Sequence, residues 1–136
     1  MQNLQGPKTV FGLDLNVASG LAYLPFCLCH FIVSIGILAT DKMNKLPRFH
    51  AVQSLLITGA MILGYVVTIV LVMFFVLIGA ALNVPAIAFI GFLFYFALIA
   101  YILALFVGLI IAMINGFQGK IFKLPVIGSM ADKWSN

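Results

Sequence analysis

Charge is what this chain has least of. Of its 136 residues only 7% are Asp, Glu, Lys or Arg, against about 25% in a soluble domain. From Phe49 to Gly119 there is none at all. So few charges could not cover a globular surface, and water is therefore not the chain's main solvent. Carboxylates are scarcer still: Asp14, Asp41 and Asp132 are the whole supply. They lie outside the apolar runs, and no paired carboxylate, Ser-His-Asp constellation or glycine-rich phosphate loop accompanies them. Without positioned acids, bases or nucleophiles, the chain reads as non-enzymatic. Cysteine is limited to Cys27 and Cys29, which on a helix point about 200° apart and cannot pair with each other. The formal net charge is +4, but the bases sit in short clusters beside apolar segments. No basic face is built, so nucleic acid is not an expected partner. Nor is a cleavable leader expected: 1–16 is polar and mixed, and no small-x-small site follows a short apolar core.

What is present is hydrophobic, 65% of the chain, with a mean hydropathy of +1.26. The length suits one domain. Residues 1–16, broken by Gly6-Pro7, read as an N-terminal and interfacial stretch, with Asn16 or Ser19 available as a helix cap. Residues 17–39 form the first apolar run, long enough for the roughly 20 residues that a span requires. Pro25 within it predicts a kink. A polar loop follows over 40–47, and Pro47 suits the first turn of the next helix. That helix is expected over 48–82. Asn83-Val84-Pro85 is a turn, and 86–115 forms a third helix before a basic, interfacial tail over 116–136. The expected architecture is all-α: an integral membrane bundle of three long transmembrane helices. Cutting 51–115 into three pieces would give four spans, but no turn residues mark the cuts. The second helix would be about 48 Å long over 51–82, more than a hydrocarbon core of about 30 Å, so it must tilt or project.

Polar side chains inside such a chain are the candidate sites. His50, Gln53 and Ser54 fall at i, i+3 and i+4 on one helical face, next to Arg48, and Asn115 and Gln118 at the end of the third helix could complete the network. This cluster reads either as a hydrogen-bonded clasp that sets helix register or as a docking or transport site. Arg48 in a first helical turn opposes the helix dipole, so a phosphate or a carboxylate such as Asp41 is its expected partner. Lys42, Lys45, Arg48, Lys120 and Lys123 are the candidates for lipid phosphate. Ala100, Ala104, Gly108, Ala112 and Gly116 recur every four residues, a small-residue stripe against which another membrane helix, from a second copy or another protein, could pack closely. His30, in the string Cys27-x-Cys29-His30, could ligate the metal of a haem or a chlorophyll-type pigment. The spacing is not that of covalent haem attachment, and the chain otherwise implies no cofactor.

Three strings occur in a suggestive order: Gly12-Leu13-Asp14-Leu15-Asn16-Val17-Ala18, then Leu21-Ala22-Tyr23-Leu24, then Arg48-Phe49-His50-Ala51-Val52-Gln53-Ser54. The tail adds Gln118-Gly119-Lys120-Ile121-Phe122-Lys123-Leu124-Pro125-Val126-Ile127-Gly128. Together these resemble the small bacterial membrane proteins grouped with the chloroplast inner-envelope import component, the Tic20-like family. The resemblance implies a multi-pass helical protein of the bacterial inner membrane and, through the plastid members, a part in protein import. With three spans, the basic residues flanking the first loop and those in the tail fall on one side. The positive-inside rule makes that side cytoplasmic, leaving the N-terminus and the Asn83 turn outside. The expected function is that of an accessory or assembly subunit packed against other membrane proteins. Translocation or channel activity is the alternative, and tetrapyrrole binding through His30 the weaker one.

Overall fold

The computed structural model describes residues 9, 12–24 and 29–135. Pro25, Cys27, Lys8 and the Gly6-Pro7 break lie outside the described residues, and with them the expectations placed on those positions. Five helices follow one another: α1 (Leu15–Leu21), α2 (Cys29–Thr40), α3 (Lys45–Ala81), α4 (Pro85–Phe117) and α5 (Ile127–Trp134). There is no strand among the described residues, so the chain is all-α.

Helices α3 and α4, of 37 and 33 residues, are long and apolar enough to cross a membrane. Each runs unbroken, which excludes the four-span division of 51–115. The turn between them is built as its sequence indicates. Asn83 takes φ 53°, its N–H donates to the Ala80 carbonyl (3.2 Å), and the Val84 N–H donates to that of Gly79 (2.9 Å). This is a Schellman closure with asparagine in the left-handed position. Pro85 then opens α4, where the missing N–H has no intrahelical role.

The first apolar run departs from expectation. Residues 17–39 do not form one spanning helix: α1 ends at Leu21 and α2 begins at Cys29. Ala18 and Ile37 share one buried cluster with Ala51. On a straight helix those first two residues would stand about 28 Å apart. The Ser34 hydroxyl also reaches the Ala22 carbonyl at 3.4 Å, so the segment doubles back on itself. Its length satisfies the span criterion, but its polar side chains are used inward. Neither expected cap of α1 acts as one: Asp14 holds the N-cap position, and the Ser19 hydroxyl donates back to the Leu15 carbonyl at 2.6 Å.

The chain divides into two compact units, residues 1–58 with 107–136, and residues 59–106. In the first, the start of α3 is enclosed: Leu46, Phe49, His50, Ala51, Gln53, Ser54 and Ile57 are all fully buried. Phe49 and Val52 pack with Ala131 of α5, and Leu38, Leu56 and Ile121 close around them. The tail is therefore docked on α3. The excess length expected of the second helix has the same explanation, since its first turns are wrapped by α1, α2 and the tail. The segment 12–24 packs at the end of α4 that carries the tail: a Cβ on Gly116 would stand 3.0 Å from the Ser19 backbone.

In the second unit α3 and α4 pair antiparallel through glycines. A Cβ on Gly79 would meet the Ala88 nitrogen at 2.7 Å, one on Gly91 the Val72 carbonyl at 3.3 Å, and one on Gly64 the Tyr101 ring. The rings of Phe75 and Phe94 stack at 5.6 Å, and the Tyr101 hydroxyl donates to the Ala60 carbonyl at 3.0 Å.

Candidate functional site

The polar residues of the first unit meet in a buried cap around His50. A Schellman closure at the end of α4 prepares it. Gly119 takes φ 71°, its N–H donates to the Gly116 carbonyl (3.0 Å) and the Lys120 N–H to that of Asn115 (2.9 Å). The chain is thereby reversed, and the Lys120 carbonyl lies 3.1 Å from His50 Nε2. A carbonyl can only accept, so Nε2 carries the proton and Nδ1 is left as an acceptor. The Tyr23 hydroxyl supplies it, 3.0 Å away. Burial raises the Tyr23 phenol far above its ordinary range, which keeps it a donor. One turn further along α3, Gln53 Nε2 donates to the Phe122 carbonyl at 3.2 Å. Gln53 Oε1 and Ser54 Oγ are buried without a hydrogen-bond partner among the described residues.

Arg48 makes a second junction. Its Nη1 donates to the Asp41 carbonyl at 3.0 Å and, more weakly, to that of Leu38 at 3.5 Å, while Nε donates to the Ser135 carbonyl at 3.1 Å. Both acceptor sites are helix C-terminal ends, where unsatisfied carbonyls attract a cation. That explains a base in the first turns of α3 better than the Asp41 carboxylate does. The Asp41 side chain is occupied elsewhere, accepting from Asn44 Nδ2 at 2.9 Å and, through its other oxygen, from the backbone N–H groups of Met43 and Asn44. On the outer surface Asp132 bridges Lys123 (2.8 Å) and Lys45 (3.1 Å). The hydrogen bonds from these two ammonium groups hold its carboxyl below the ordinary carboxylate value.

Of the expected cluster, His50 and Gln53 share the cap, Ser54 is buried on the same face without a bond, Arg48 serves the separate junction, and Asn115 and Gln118 bond elsewhere. Asn115 Nδ2 donates to the Ile111 carbonyl of its own helix at 2.8 Å. Gln118 Oε1 accepts from Lys120 Nζ at 3.0 Å on the surface. Their places are taken by two backbone carbonyls and by Tyr23. The tyrosine stands in one of the strings quoted above for the family resemblance, and that was its only signal.

The small-residue stripe is also divided. Gly108, Ala112 and Gly116 are buried, whereas Ala100 and Ala104 are exposed. A four-residue repeat on a helix of 3.6 residues per turn slips about 40° per step, so the five positions wind about 160° around α4. Leu124 of the tail fills the space beside Gly108, and the Ser19–Gly20 backbone that beside Gly116. This part of the stripe receives the chain's own segments.

His30 opens α2 with its Nε2 3.3 Å from the Thr58 hydroxyl and its ring tilted against Phe31 at 4.3 Å. Among the described residues no group of three His, Cys, Asp or Glu is placed to hold a metal ion.

Along 130 residues, covering 94% of both chains, the sequence is 35% identical to the UPF0132 membrane protein MJ1443 of Methanocaldococcus jannaschii. The chain belongs to the UPF0132 membrane protein family. No family model matches it, and no solved structure does. For a UPF0132 chain a membrane location follows, and the exposed apolar side chains of α3 and α4 are then in contact with lipid or with other membrane-embedded groups. Residues 59–106, which hold most of them, carry no charge.

Proposed function

We propose that this protein is a non-enzymatic assembly subunit that packs the α3–α4 hairpin against a second membrane-embedded chain. Two tyrosines carry the reading. Tyr65 and Tyr95 are 53% and 39% exposed, and neither hydroxyl has a hydrogen-bond acceptor among the described residues. Counted from Phe49, where the charge-free stretch begins, and from Pro85, where α4 begins, Tyr65 and Tyr95 lie about 24 Å and about 15 Å along their helices, deep within a hydrocarbon core of about 30 Å. Lipid tails offer no acceptor at that depth, and an unbonded hydroxyl there is costly. Each tyrosine also follows by one position a residue of the α3–α4 contact, Gly64 and Phe94. Because the helices run antiparallel, equal steps in sequence place both on the same flank of the pair. A neighbouring helix on that flank would satisfy both hydroxyls.

The test is association of the full chain in lipid nanodiscs, read by subunit photobleaching and by identification of membrane proteins that co-purify stoichiometrically. The double variant Tyr65→Phe/Tyr95→Phe should weaken association roughly thirtyfold, since interhelical polar bonds contribute about 1 kcal/mol each. A wild-type chain that stays monomeric and alone would sink the proposal. The bases of the first unit support placing its end of the hairpin in the cytoplasm, with the described N-terminal segment on that same side.

A second reading is Tic20-like translocation. It is favoured by the fact that Tyr23, His50, Gln53 and Gly119-Lys120, all from the strings that carry the resemblance, meet in one buried cap. Conductance or peptide uptake by vesicles holding the purified chain separates the two readings. Tetrapyrrole binding at His30 remains the weaker alternative, and an absorbance spectrum of the purified protein decides it.

A further inference from the structure

On the first unit, Leu38, Arg48, Val52, Leu55, Leu56 and Trp134 line an open pocket of about 440 Å³, within the range of small-molecule sites. Its composition is divided along α3. Arg48 stands at one end, and Val52, Leu55 and Leu56 continue from it into the apolar part of the helix. Trp134, 55% exposed, adds the amphipathic ring that favours the membrane–water boundary. The charge-free stretch begins at Phe49, so the pocket crosses the level at which headgroups give way to acyl chains.

The guanidinium is held rigidly by three carbonyls through Nε and Nη1, while Nη2 donates to no described residue. Carbonyls orient a cation without cancelling its charge, and no carboxylate among the described residues pairs with Arg48. The nearby bases reinforce it: Lys42 and Lys133 are exposed, and Lys45 and Lys123 share the single carboxylate of Asp132. A planar donor fixed at the top of an apolar slot is complementary to a phosphate carrying a hydrocarbon chain.

We infer that this pocket binds one anionic phospholipid of the surrounding bilayer, its phosphate at Arg48 Nη2 and an acyl chain along Val52, Leu55 and Leu56. The inference does not depend on whether the hairpin associates with another chain.

Native mass spectrometry of the full chain in mild detergent tests it, titrating phosphatidylglycerol, phosphatidylcholine of the same acyl chains, and glycerol 3-phosphate. One phosphatidylglycerol should bind at least about tenfold more tightly than phosphatidylcholine, whose choline cation offsets the phosphate charge and is repelled by Arg48 and the neighbouring lysines, and glycerol 3-phosphate should not compete at equal concentration. Arg48→Gln should erase the preference between the two lipids. Because Arg48 also ties α2 and α5 to α3, that variant could unfold. Leu55→Trp, which fills the slot and leaves the carbonyl contacts intact, should therefore lower phosphatidylglycerol binding about tenfold with helicity unchanged. Equal binding of the two lipids, unaltered binding by Leu55→Trp, or full competition by glycerol 3-phosphate would each overturn the inference, the last by showing a site for a free anion.

Discussion

The Tyr23 hydroxyl lies 3.0 Å from Nδ1 of His50, joining the turn after α1 to the second turn of α3. Both residues are fully buried, and the other ring nitrogen is engaged by the Lys120 carbonyl. The imidazole thus fastens three separate stretches of chain. Tyr23→Phe keeps the ring and removes the donor, leaving a buried acceptor unmatched. The expected cost is about 1–3 kcal/mol, read as a lowered midpoint of thermal or denaturant unfolding in detergent. An unchanged midpoint would mean that the cap does not hold the unit together.

Ser54 should behave in the opposite way. Its Oγ is buried and makes no hydrogen bond among the described residues, while its backbone carbonyl accepts from the Thr58 hydroxyl at 3.1 Å. Ser54→Ala removes a desolvated hydroxyl and leaves that carbonyl in place. Stability should be unchanged or raised by up to about 1 kcal/mol. The pair of variants distinguishes side chains that form the clasp from one that only shares its helical face, a distinction that the i, i+3, i+4 spacing could not make.

What the sequence made legible follows the strength of each local signal. The long charge-free block and the Asn83-Val84-Pro85 break placed α3, the turn and α4, because length, composition and turn chemistry agree there. The doubled-back segment before them was hidden, since its apolar length alone meets the requirement for a span. Its polar side chains Ser19, Tyr23 and Ser34 are buried, which apolar length alone does not reveal. The cap was half legible: His50 and Gln53 were found by helical spacing. Their partners are the carbonyls of Lys120 and Phe122, and every residue carries a carbonyl, so sequence cannot single these out. The stripe misled because an exact four-residue repeat is not a straight line on an α-helix.

Gly116 lies in the buried part of the stripe. Gly116→Ala brings a Cβ to 3.0 Å from the Ser19 backbone, where no side-chain rotation can relieve it, and overpacking of this kind costs about 1–3 kcal/mol. Ala104→Leu lies on the exposed part of the stripe and should leave unfolding unaffected. Comparing the two melting curves decides whether the stripe serves the fold or only a partner. A larger loss at Ala104 would reverse the assignment.

Asp132 sets a dependence on pH. Its carboxyl is held below the ordinary value of 3.8 by Lys123 first and Lys45 second. A depressed folded-state value means that the contribution is fully present above 3.8, the unfolded value, and is lost as pH falls through the lower folded one. Wild type and Asp132→Asn should therefore differ in stability by a constant, small amount from neutral pH down to about 4, and converge below it. Because the group is on the surface, about 0.5 M salt should shrink the difference at neutral pH.

Gly119 is where backbone geometry and the cap depend on each other most directly. Its φ of 71° lies in the left-handed region, and a Cβ there would stand 2.7 Å from Asn16 Oδ1. Gly119→Ala meets both obstacles, a conformational cost of about 1 kcal/mol or more and a collision with Asn16. Asn16→Ala removes only the second. The loss caused by Gly119→Ala should thus be smaller in the Asn16→Ala background than in wild type, though still present. Since this turn aims the Lys120 carbonyl at His50, the same substitution should loosen the tail, and trypsin should cleave at Lys120 and Lys123 faster than in wild type. Equal losses in the two backgrounds would place the whole effect in the backbone, and unchanged proteolysis would show that the tail is held without His50.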